Sequence, residues 1–177
     1  QVPQTREQVQ MSYAPLVREA APAVVNVYTT KTVQRSQTVR DFFGRRFRTG
    51  PGVGERVQNS LGSGVILSND GVIVTNNHVI EGADEINIEF FNGTELTAEL
   101  VGTDPNTDIA LLKVEADAPL PFVPFGNSDS ARVGDWVMAV GNPLGQGFSV
   151  SAGIVSARGR ALSGTYDDYI QTDAAIN

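Results

Sequence analysis

The sequence predicts an all-β protein made of short strands, arranged as a sandwich or as barrels. Its 177 residues include 18 glycines and 9 prolines, and many of these separate short apolar runs. The runs are rich in β-branched residues and meet a turn about every 8–12 residues, a spacing typical of sandwiches and barrels. Apolar residues at helical spacing are almost absent, so a helical fold is not expected.

The chain begins with a polar segment, a short helix and a first strand. Residues 1–11 are polar, and Tyr13–Ala20 is predicted to form a helix that ends at Pro22, because proline cannot continue a helix. Ala23–Tyr28 is rich in valine and is typical of a strand. We expect residues 1–22 to form a separate N-terminal segment.

The segment 34–58 is predicted to be one long loop, because glycine and proline recur in its second half. It overlaps a basic stretch, Lys31–Arg56, which holds seven basic and two acidic residues. We interpret this stretch as a solvated loop, with a nucleic-acid or anionic-lipid patch as the alternative. Three aromatic residues predict docking of the loop on another subunit or on its own domain: Phe42, Phe43 and Phe47.

Two hairpins and four further strands are expected after this loop. Turn residues around Gly71 and Gly93 each separate two strand-like runs, which predicts the hairpins. Prolines between 119 and 124 mark the boundary of two subdomains, 23–118 and 119–177. The expected strands are Leu61–Leu67, Val72–Thr75, Ile86–Phe91, Glu95–Val101, Ile109–Val114, Asp135–Val140, Ser149–Ala157 and Tyr169–Asp173.

Composition excludes several kinds of function. The sequence has no cysteine, which removes disulfides, thiolate metal sites and a cysteine nucleophile from this chain. The net charge of −7 argues against general nucleic-acid binding. No run approaches the roughly 18 apolar residues of a membrane span. No signal peptide opens the chain, and its polar start at Gln1 is compatible with earlier removal of one.

His78 is the only histidine and follows directly on a predicted strand. A histidine there can present its ring to a cleft at the rim of a barrel. Imidazole changes charge near neutral pH, which suits a general base. A hydrogen-bonded structural histidine is the equally open alternative.

Asp108 is the candidate partner of this histidine. It stands at the start of the apolar run Ile109–Val114, where a carboxylate is costly to bury unless it is paired. Pairing with one ring nitrogen of His78 would fix the tautomer and stabilise the imidazolium. A turn or capping aspartate is the alternative. Histidine followed by aspartate is the chain order of chymotrypsin-like proteases.

Five blocks of the sequence follow one another in a recognisable order and spacing. They are Leu61-Gly62-Ser63-Gly64-Val65-Ile66, Thr75-Asn76-Asn77-His78-Val79-Ile80, Thr107-Asp108-Ile109-Ala110-Leu111-Leu112-Lys113-Val114, Ala139-Val140-Gly141-Asn142-Pro143 and Gln171-Thr172-Asp173-Ala174-Ala175-Ile176-Asn177. These blocks resemble those of the HtrA/Deg serine endopeptidases, and the resemblance runs from about residue 14 to the end. It implies a chymotrypsin-like double β-barrel, with the first barrel complete, the second partial and the active site between them.

The resemblance assigns His78 as the general base and Asp108 as the acid that orients it. It implies that the nucleophilic serine and the oxyanion hole follow Asn177, so that this chain alone is expected to be inactive. Ser128 is rejected as the nucleophile because Asp129 would put a negative charge beside the developing oxyanion. Ser63 is interpreted as part of a tight strand.

The resemblance also implies two further site residues. Ile176 matches a wall of the primary specificity pocket, which fits cleavage after small aliphatic residues, and ordinary core packing is the alternative. Arg160 matches an arginine of the activation loop. Arg158 is close enough to leave that choice open, and an exposed structural arginine is the alternative for either residue.

The function implied is that of an ATP-independent endopeptidase that degrades unfolded or damaged proteins, with no cofactor and no metal. The resemblance also implies a periplasmic location and a homotrimer or larger assembly, to which the segment near Tyr13 contributes. The loop 34–58 resembles one that reaches a neighbouring subunit, and the chain contains no PDZ domain. Two alternatives are a protease-like module that binds misfolded chains without cutting them, and an unrelated β-sandwich.

Overall fold

The computed structural model describes residues 12–34, 38–40, 46–48, 55–141, 148–161 and 168–175. Over these ranges the protein is built mainly of antiparallel strands, so the all-β prediction is confirmed. There are a seven-stranded sheet, a three-stranded sheet and a two-stranded ribbon. No helix in the described part is long and apolar enough to cross a membrane.

Strands are numbered in chain order. The seven-stranded sheet has the order β7-β6-β1-β4-β5-β9-β8, the three-stranded sheet has the order β10-β11-β12, and β2 pairs with β3. The strands are β1 (Val24–Gln34), β2 (Thr38–Arg40), β3 (Arg46–Arg48), β4 (Glu55–Ile66), β5 (Val72–Asn76), β6 (Glu85–Glu89), β7 (Glu95–Thr97), β8 (Glu99–Asp104), β9 (Ile109–Lys113), β10 (Trp136–Gly141), β11 (Ser149–Arg160) and β12 (Tyr169–Thr172).

The helices are few and short. Helix α1 spans Ala14–Ala20, within one residue of the expected helix, and a 3-10 turn over Ala21–Ala23 joins it to β1. Helix α2 spans Asn77–Ile80, and a second 3-10 turn spans Ser128–Ser130.

The core lies on one face of the seven-stranded sheet. Side chains alternate between buried and less buried along β5, β6 and β9; in β9, Ala110 and Leu112 are buried while Ile109 is exposed. The alternation follows from the two-residue period of a strand. The sheet curls so that buried residues from five strands, from α2 and from three positions next to strands form one cluster: Val25, Val27, Ile66, Ile73, Val79, Ile80, Ile86, Ile88, Phe90, Ala98, Ala110, Leu112 and Val114.

Two of the predicted elements are wrong in their boundaries. The expected strand Glu95–Val101 is two strands, because β7 pairs with β6 whereas β8 pairs with β9 on the opposite edge of the sheet. The expected loop 34–58 is shorter than predicted. Strands β1 and β4 pair as far as Gln34 and Glu55, and β2 and β3 form a ribbon between them. Strands β1 and β4 extend beyond their apolar residues because their backbones pair with each other along almost their whole length.

The connection from β9 to β10 crosses the β4–β5 hairpin. Residues 114–127 contain neither helix nor strand. The backbone N–H of Leu120 donates to the Asn69 carbonyl at 3.0 Å, and that of Val123 donates to the Ile66 carbonyl at 3.2 Å. The proline-rich connection is therefore tied to the first sheet before the chain enters the second one.

Candidate active site

Strand β5 and helix α2 together hold His78 at the edge of the core. The strand ends at Asn76, and α2 buries Val79 and Ile80 while His78 stays outside. The close approach of Val79 requires Gly62, because a Cβ on that residue would stand 2.7 Å from both methyl groups of Val79. The buried half of α2 thus fixes the position of the histidine.

Strand pairing brings Asp108 opposite this helix. Asn76 is the register partner of Ile109, so the residue before β9 lies beside the start of α2. Asp108 has φ of 56°, the only positive value among the described non-glycine residues. Aspartate tolerates this left-handed conformation better than most residues, but strain of roughly 1–3 kcal/mol is usual there and often marks a functional site.

The two side chains form a hydrogen-bonded dyad. His78 Nδ1 lies 2.6 Å from Asp108 Oδ2, and the His78 backbone N–H donates to Oδ1 at 2.8 Å. The backbone N–H of His78 is the main reason that the pKa of Asp108 is held below its ordinary value; burial opposes this lowering, and the His78 ring and Asn76 add to it. The carboxylate therefore stays ionised and leaves Nε2 as the ring nitrogen for proton transfer.

The dyad is more open to solvent than the sequence predicted. The His78 and Asp108 side chains are 69% and 42% exposed. Burial therefore does not force Asp108 to pair, contrary to the expectation from the sequence. The pairing arises from strand register and backbone conformation, which hold the carboxylate against α2.

Asn76 completes the group, and the sequence analysis missed it. Its Nδ2 donates to Asp108 Oδ2 at 3.3 Å and to the Asp108 backbone carbonyl at 3.2 Å. The available signal was its position two residues before His78, at the residue that precedes a helix.

A cleft of about 440 Å³ runs between the two sheets beside the dyad. One wall comes from β4, β5 and α2, and the other from β10, β11 and Ala175, which follows β12. The second wall is made of small side chains, and sequence analysis did not assign these residues to the site. The described residues that line the cleft are Leu61, Gly62, Ser63, Asn76, His78, Val79, Ala139, Val140, Gly141, Ser149, Ser151 and Ala175.

A polar recess of about 510 Å³ adjoins the other flank of His78. It lies over β1 and β4, and its lining includes Lys31, Asn59 and Ser60. His78 thus stands between a cleft with mostly small apolar walls and a polar surface.

Among the other predicted site residues, the structure brings neither Arg160 nor Ser128 to the dyad. Ile176 falls outside the described residues. Arg160 is exposed at the end of β11, whereas Arg158 donates to the Asp129 backbone carbonyl at 3.2 Å. Ser128 lies in the exposed 3-10 turn and is not among the residues lining the cleft. Ser63 lines the cleft within β4 and accepts a hydrogen bond at its carbonyl from Thr75.

The described side chains offer no metal centre. No group of three or more histidine, aspartate or glutamate residues in this part of the chain is arranged to hold an ion. The chemistry that the site can perform is general-base proton transfer by His78, with Asp108 stabilising the imidazolium.

Sequence comparison relates the chain to trypsin-like proteases. A family model described as a trypsin-like peptidase domain matches residues 62–177. A "Probable periplasmic serine endoprotease DegP-like" of Pseudomonas fulva (strain 12-X) is 46% identical over 187 residues, covering 93% of this chain and 39% of the relative. A protein of the same name from Rickettsia conorii (strain ATCC VR-613 / Malish 7) is 43% identical over 190 residues, covering 97% of this chain and 37% of the relative.

Solved structures agree with this relation. A single-substitution variant of the HtrA-type protease AlgW with decapeptide has a TM-score of 0.83 and 46% identity, covering 94% of this chain and 52% of that chain. AlgW with tripeptide has a TM-score of 0.76 and 45% identity, covering 94% of this chain and 47% of that chain.

The present chain thus spans about two fifths of the curated relatives and about half of the solved chains. The family model covers well over half of the chain, and the relatives align with nearly all of it. The chain therefore belongs to the trypsin-like peptidases, within the HtrA group of serine endopeptidases.

Proposed function

We propose that this chain supplies the general base and its orienting acid to a serine endopeptidase that cleaves unfolded or damaged polypeptides without ATP. The observation that carries the proposal is the 2.6 Å contact between His78 Nδ1 and Asp108 Oδ2 on the wall of a cleft. Similarity to proteins named serine endoproteases supports the same reaction class.

In this mechanism His78 Nε2 takes the proton of the serine hydroxyl while Oγ attacks the scissile carbonyl. The imidazolium, stabilised by Asp108, then gives that proton to the leaving amine. Water attacks the acyl-enzyme with His78 again acting as base. By resemblance, the serine and the oxyanion hole belong to the segment after Asn177.

Cleavage is proposed to occur after small aliphatic residues. Ala139, Val140 and Ala175 give the cleft small apolar walls, which leave room for a valine or alanine side chain. Ile176 is proposed as a further wall of the same pocket, since it follows Ala175 directly.

The cellular setting is proposed from the relatives and the resemblance. The relatives are named periplasmic, and we propose the same compartment for this protein. A homotrimer or larger assembly is proposed to use the segment near Tyr13, and Arg160 is proposed to lie on the activation loop. A division into 1–22, 23–118 and 119–177 is proposed, and the position of the proline-rich connection between the two sheets supports it.

Degradation of unfolded casein by the full-length protein tests this function. We expect His78→Ala to abolish cleavage, and Asp108→Asn to lower kcat by about 10⁴-fold, because the amide favours the wrong histidine tautomer. Asp117→Asn is the matched control, since Asp117 is exposed and outside the dyad.

The outcomes separate the competing functions. Full activity of a folded Asp108→Asn variant would remove the dyad from the mechanism. Casein bound but left uncut by the wild-type protein would instead support the binding module that does not cleave.

A further inference from the structure

We propose that Asn76 is a positioning residue of the reaction, whose side-chain amide holds Asp108 in the orientation that His78 requires. This inference rests on the proposed peptidase activity, because Asn76 acts only through Asp108. It adds a third side chain to the dyad that sequence resemblance identified.

The hydrogen bonds around Asp108 leave its carboxylate little freedom. His78 uses both oxygens, with its backbone N–H on Oδ1 at 2.8 Å and its ring Nδ1 at 2.6 Å from Oδ2. Asn76 Nδ2 donates to the same Oδ2 at 3.3 Å. Among the described residues, Asn76 is the only other side chain that donates to this carboxylate. A rotation of the carboxylate would break contacts on both oxygens.

Asn76 also contacts the backbone of Asp108. Its Nδ2 lies 3.2 Å from the Asp108 carbonyl oxygen. The left-handed conformation of Asp108, with φ of 56°, persists only where surrounding contacts fix it. One amide group therefore supports both the side chain and the strained backbone of the acid.

The Asn76 side chain does not cap helix α2. Helix capping, the simplest structural role for an asparagine at this position, therefore does not explain it. Asn76 occupies the N-cap of α2 with extended dihedral angles, φ −80° and ψ 143°. Asparagine is among the preferred N-cap residues because its side chain can accept a hydrogen bond from the first turn. No such bond forms here, and the amide donates to Asp108 instead.

The test compares two neighbouring asparagines in the full-length protein. We expect Asn76→Ala to lower kcat for a peptide substrate by about tenfold to a hundredfold with KM nearly unchanged, since small misplacement of catalytic groups is costly. Asn77→Ala is the matched control, because the Asn77 side chain makes no hydrogen bond within the described part of the chain. Urea unfolding of both variants checks that the fold is intact.

A second variant gives a readout on the histidine itself, which a general loss of stability would not move. Asn76→Asp keeps the shape of the side chain but adds a negative charge beside Asp108. The added charge stabilises the imidazolium form of His78, so the ring keeps its proton up to a higher pH. We expect the acid limb of the pH profile of kcat/KM to move up by about one pH unit. Asn77→Asp should move it less. This variant decides the question if Asn76→Ala does not fold.

The result that overturns the inference is equal kcat for Asn76→Ala and Asn77→Ala, or equal pH profiles for the two aspartate variants. Asp108→Asn distinguishes this failure from failure of the proposed function. If Asp108→Asn loses cleavage while Asn76→Ala does not, only the role of Asn76 is wrong. If Asp108→Asn keeps full activity, the dyad itself is wrong.

Discussion

At the scale of single residues, Gly153 shows how tightly the second sheet is built near the cleft. A Cβ on this residue would collide with the Ala174 backbone nitrogen and the Asp173 carboxylate. The same carboxylate accepts a hydrogen bond from the Ile154 backbone N–H at 2.7 Å, so it cannot move away without cost. Ala175, one residue further, lines the cleft. The absence of a side chain at position 153 thus positions a wall of the site.

We expect Gly153→Ala to lower the free energy of unfolding by about 1–3 kcal/mol, the usual cost of forcing atoms into a packed region. Cleavage by the full-length protein should fall as well, because the segment that carries Ala175 is displaced. Gly102→Ala is the control: a Cβ there meets nothing within 4 Å, so its effect should stay within about 0.5 kcal/mol. Urea unfolding measures both, and equal losses would contradict the proposed collision.

The sequence identified those site residues that can be recognised one at a time. His78 is the only histidine, and the blocks around it and Asp108 resemble one family closely. Asn76 was missed because its role depends on strand register. A sequence does not state that Asn76 stands opposite Ile109, or that Asp108 adopts a left-handed backbone.

At the scale of elements, a polar group ties β1 to β6. Asn26 and Glu89 are register partners, and Asn26 Nδ2 donates to Glu89 Oε2 at 2.7 Å. The Tyr28 hydroxyl donates to the same oxygen at 2.9 Å. This hydrogen bond is the main reason that the pKa of Tyr28 is raised; burial and the negative charge of Glu89 add to it. The fold therefore favours the neutral tyrosine.

Tyr28→Phe should lower the free energy of unfolding by about 1 kcal/mol at pH 8, the usual net value of such a bond. A raised pKa in the folded state contributes stability that is fully present below the unfolded pKa of about 10. That contribution is lost as pH rises through the folded value. The gap between variant and wild type should therefore close in strongly alkaline solution.

Urea unfolding across this pH range is the measurement. Tyr169→Phe serves as control, because the Tyr169 hydroxyl makes no hydrogen bond within the described ranges. A gap that stays constant with pH would show that the two proteins differ in packing and not in this bond.

Element boundaries were less predictable than element types. Apolar runs indicated the strands of the first sheet, since alternation follows the period of a strand. The sequence does not indicate that the segment Glu95–Val101 is divided at Ala98, because the residues on both sides of Ala98 favour a strand. Strands β7 and β8 are separate because β7 forms backbone hydrogen bonds with β6, whereas β8 forms them with β9 at the other edge of the sheet. The ends of β1 and β4 are likewise set by pairing with each other.

At the scale of the whole molecule, one aromatic pair ties the N-terminal helix region to the second sheet, and another links the segments beside the two sheets. The Tyr13 ring, before α1, lies 6.2 Å from the Trp136 ring in β10. The Phe91 and Phe148 rings, which follow β6 and precede β11, have centroids 4.9 Å apart at an interplanar angle of 54°. The sequence predicted two subdomains but neither of these ring contacts, because three of the four aromatic residues lie outside the strands, where no periodic pattern indicates which side chains meet.

Phe91→Ala tests whether the second pair holds the cleft together. We expect a loss of about 0.5–1.5 kcal/mol in the free energy of unfolding, the range of an aromatic pair in this geometry. Trp136 is the only tryptophan of the chain, so its fluorescence reports the second sheet, while far-UV circular dichroism reports all strands. The fluorescence transition should move to lower urea concentration than the dichroism transition, because the second sheet loses its attachment first.

Phe125→Ala is the control for that experiment, since Phe125 is 82% exposed and stacks on no ring in the described part of the chain. Its effect should stay within about 0.5 kcal/mol. Coincident transitions in Phe91→Ala, with a stability equal to that of Phe125→Ala, would mean that the ring pair does not couple the sheets. The cleft would then depend on other contacts, such as those between β1 and β10. Separate transitions would mean that a contact remote from His78 keeps the two walls of the site together.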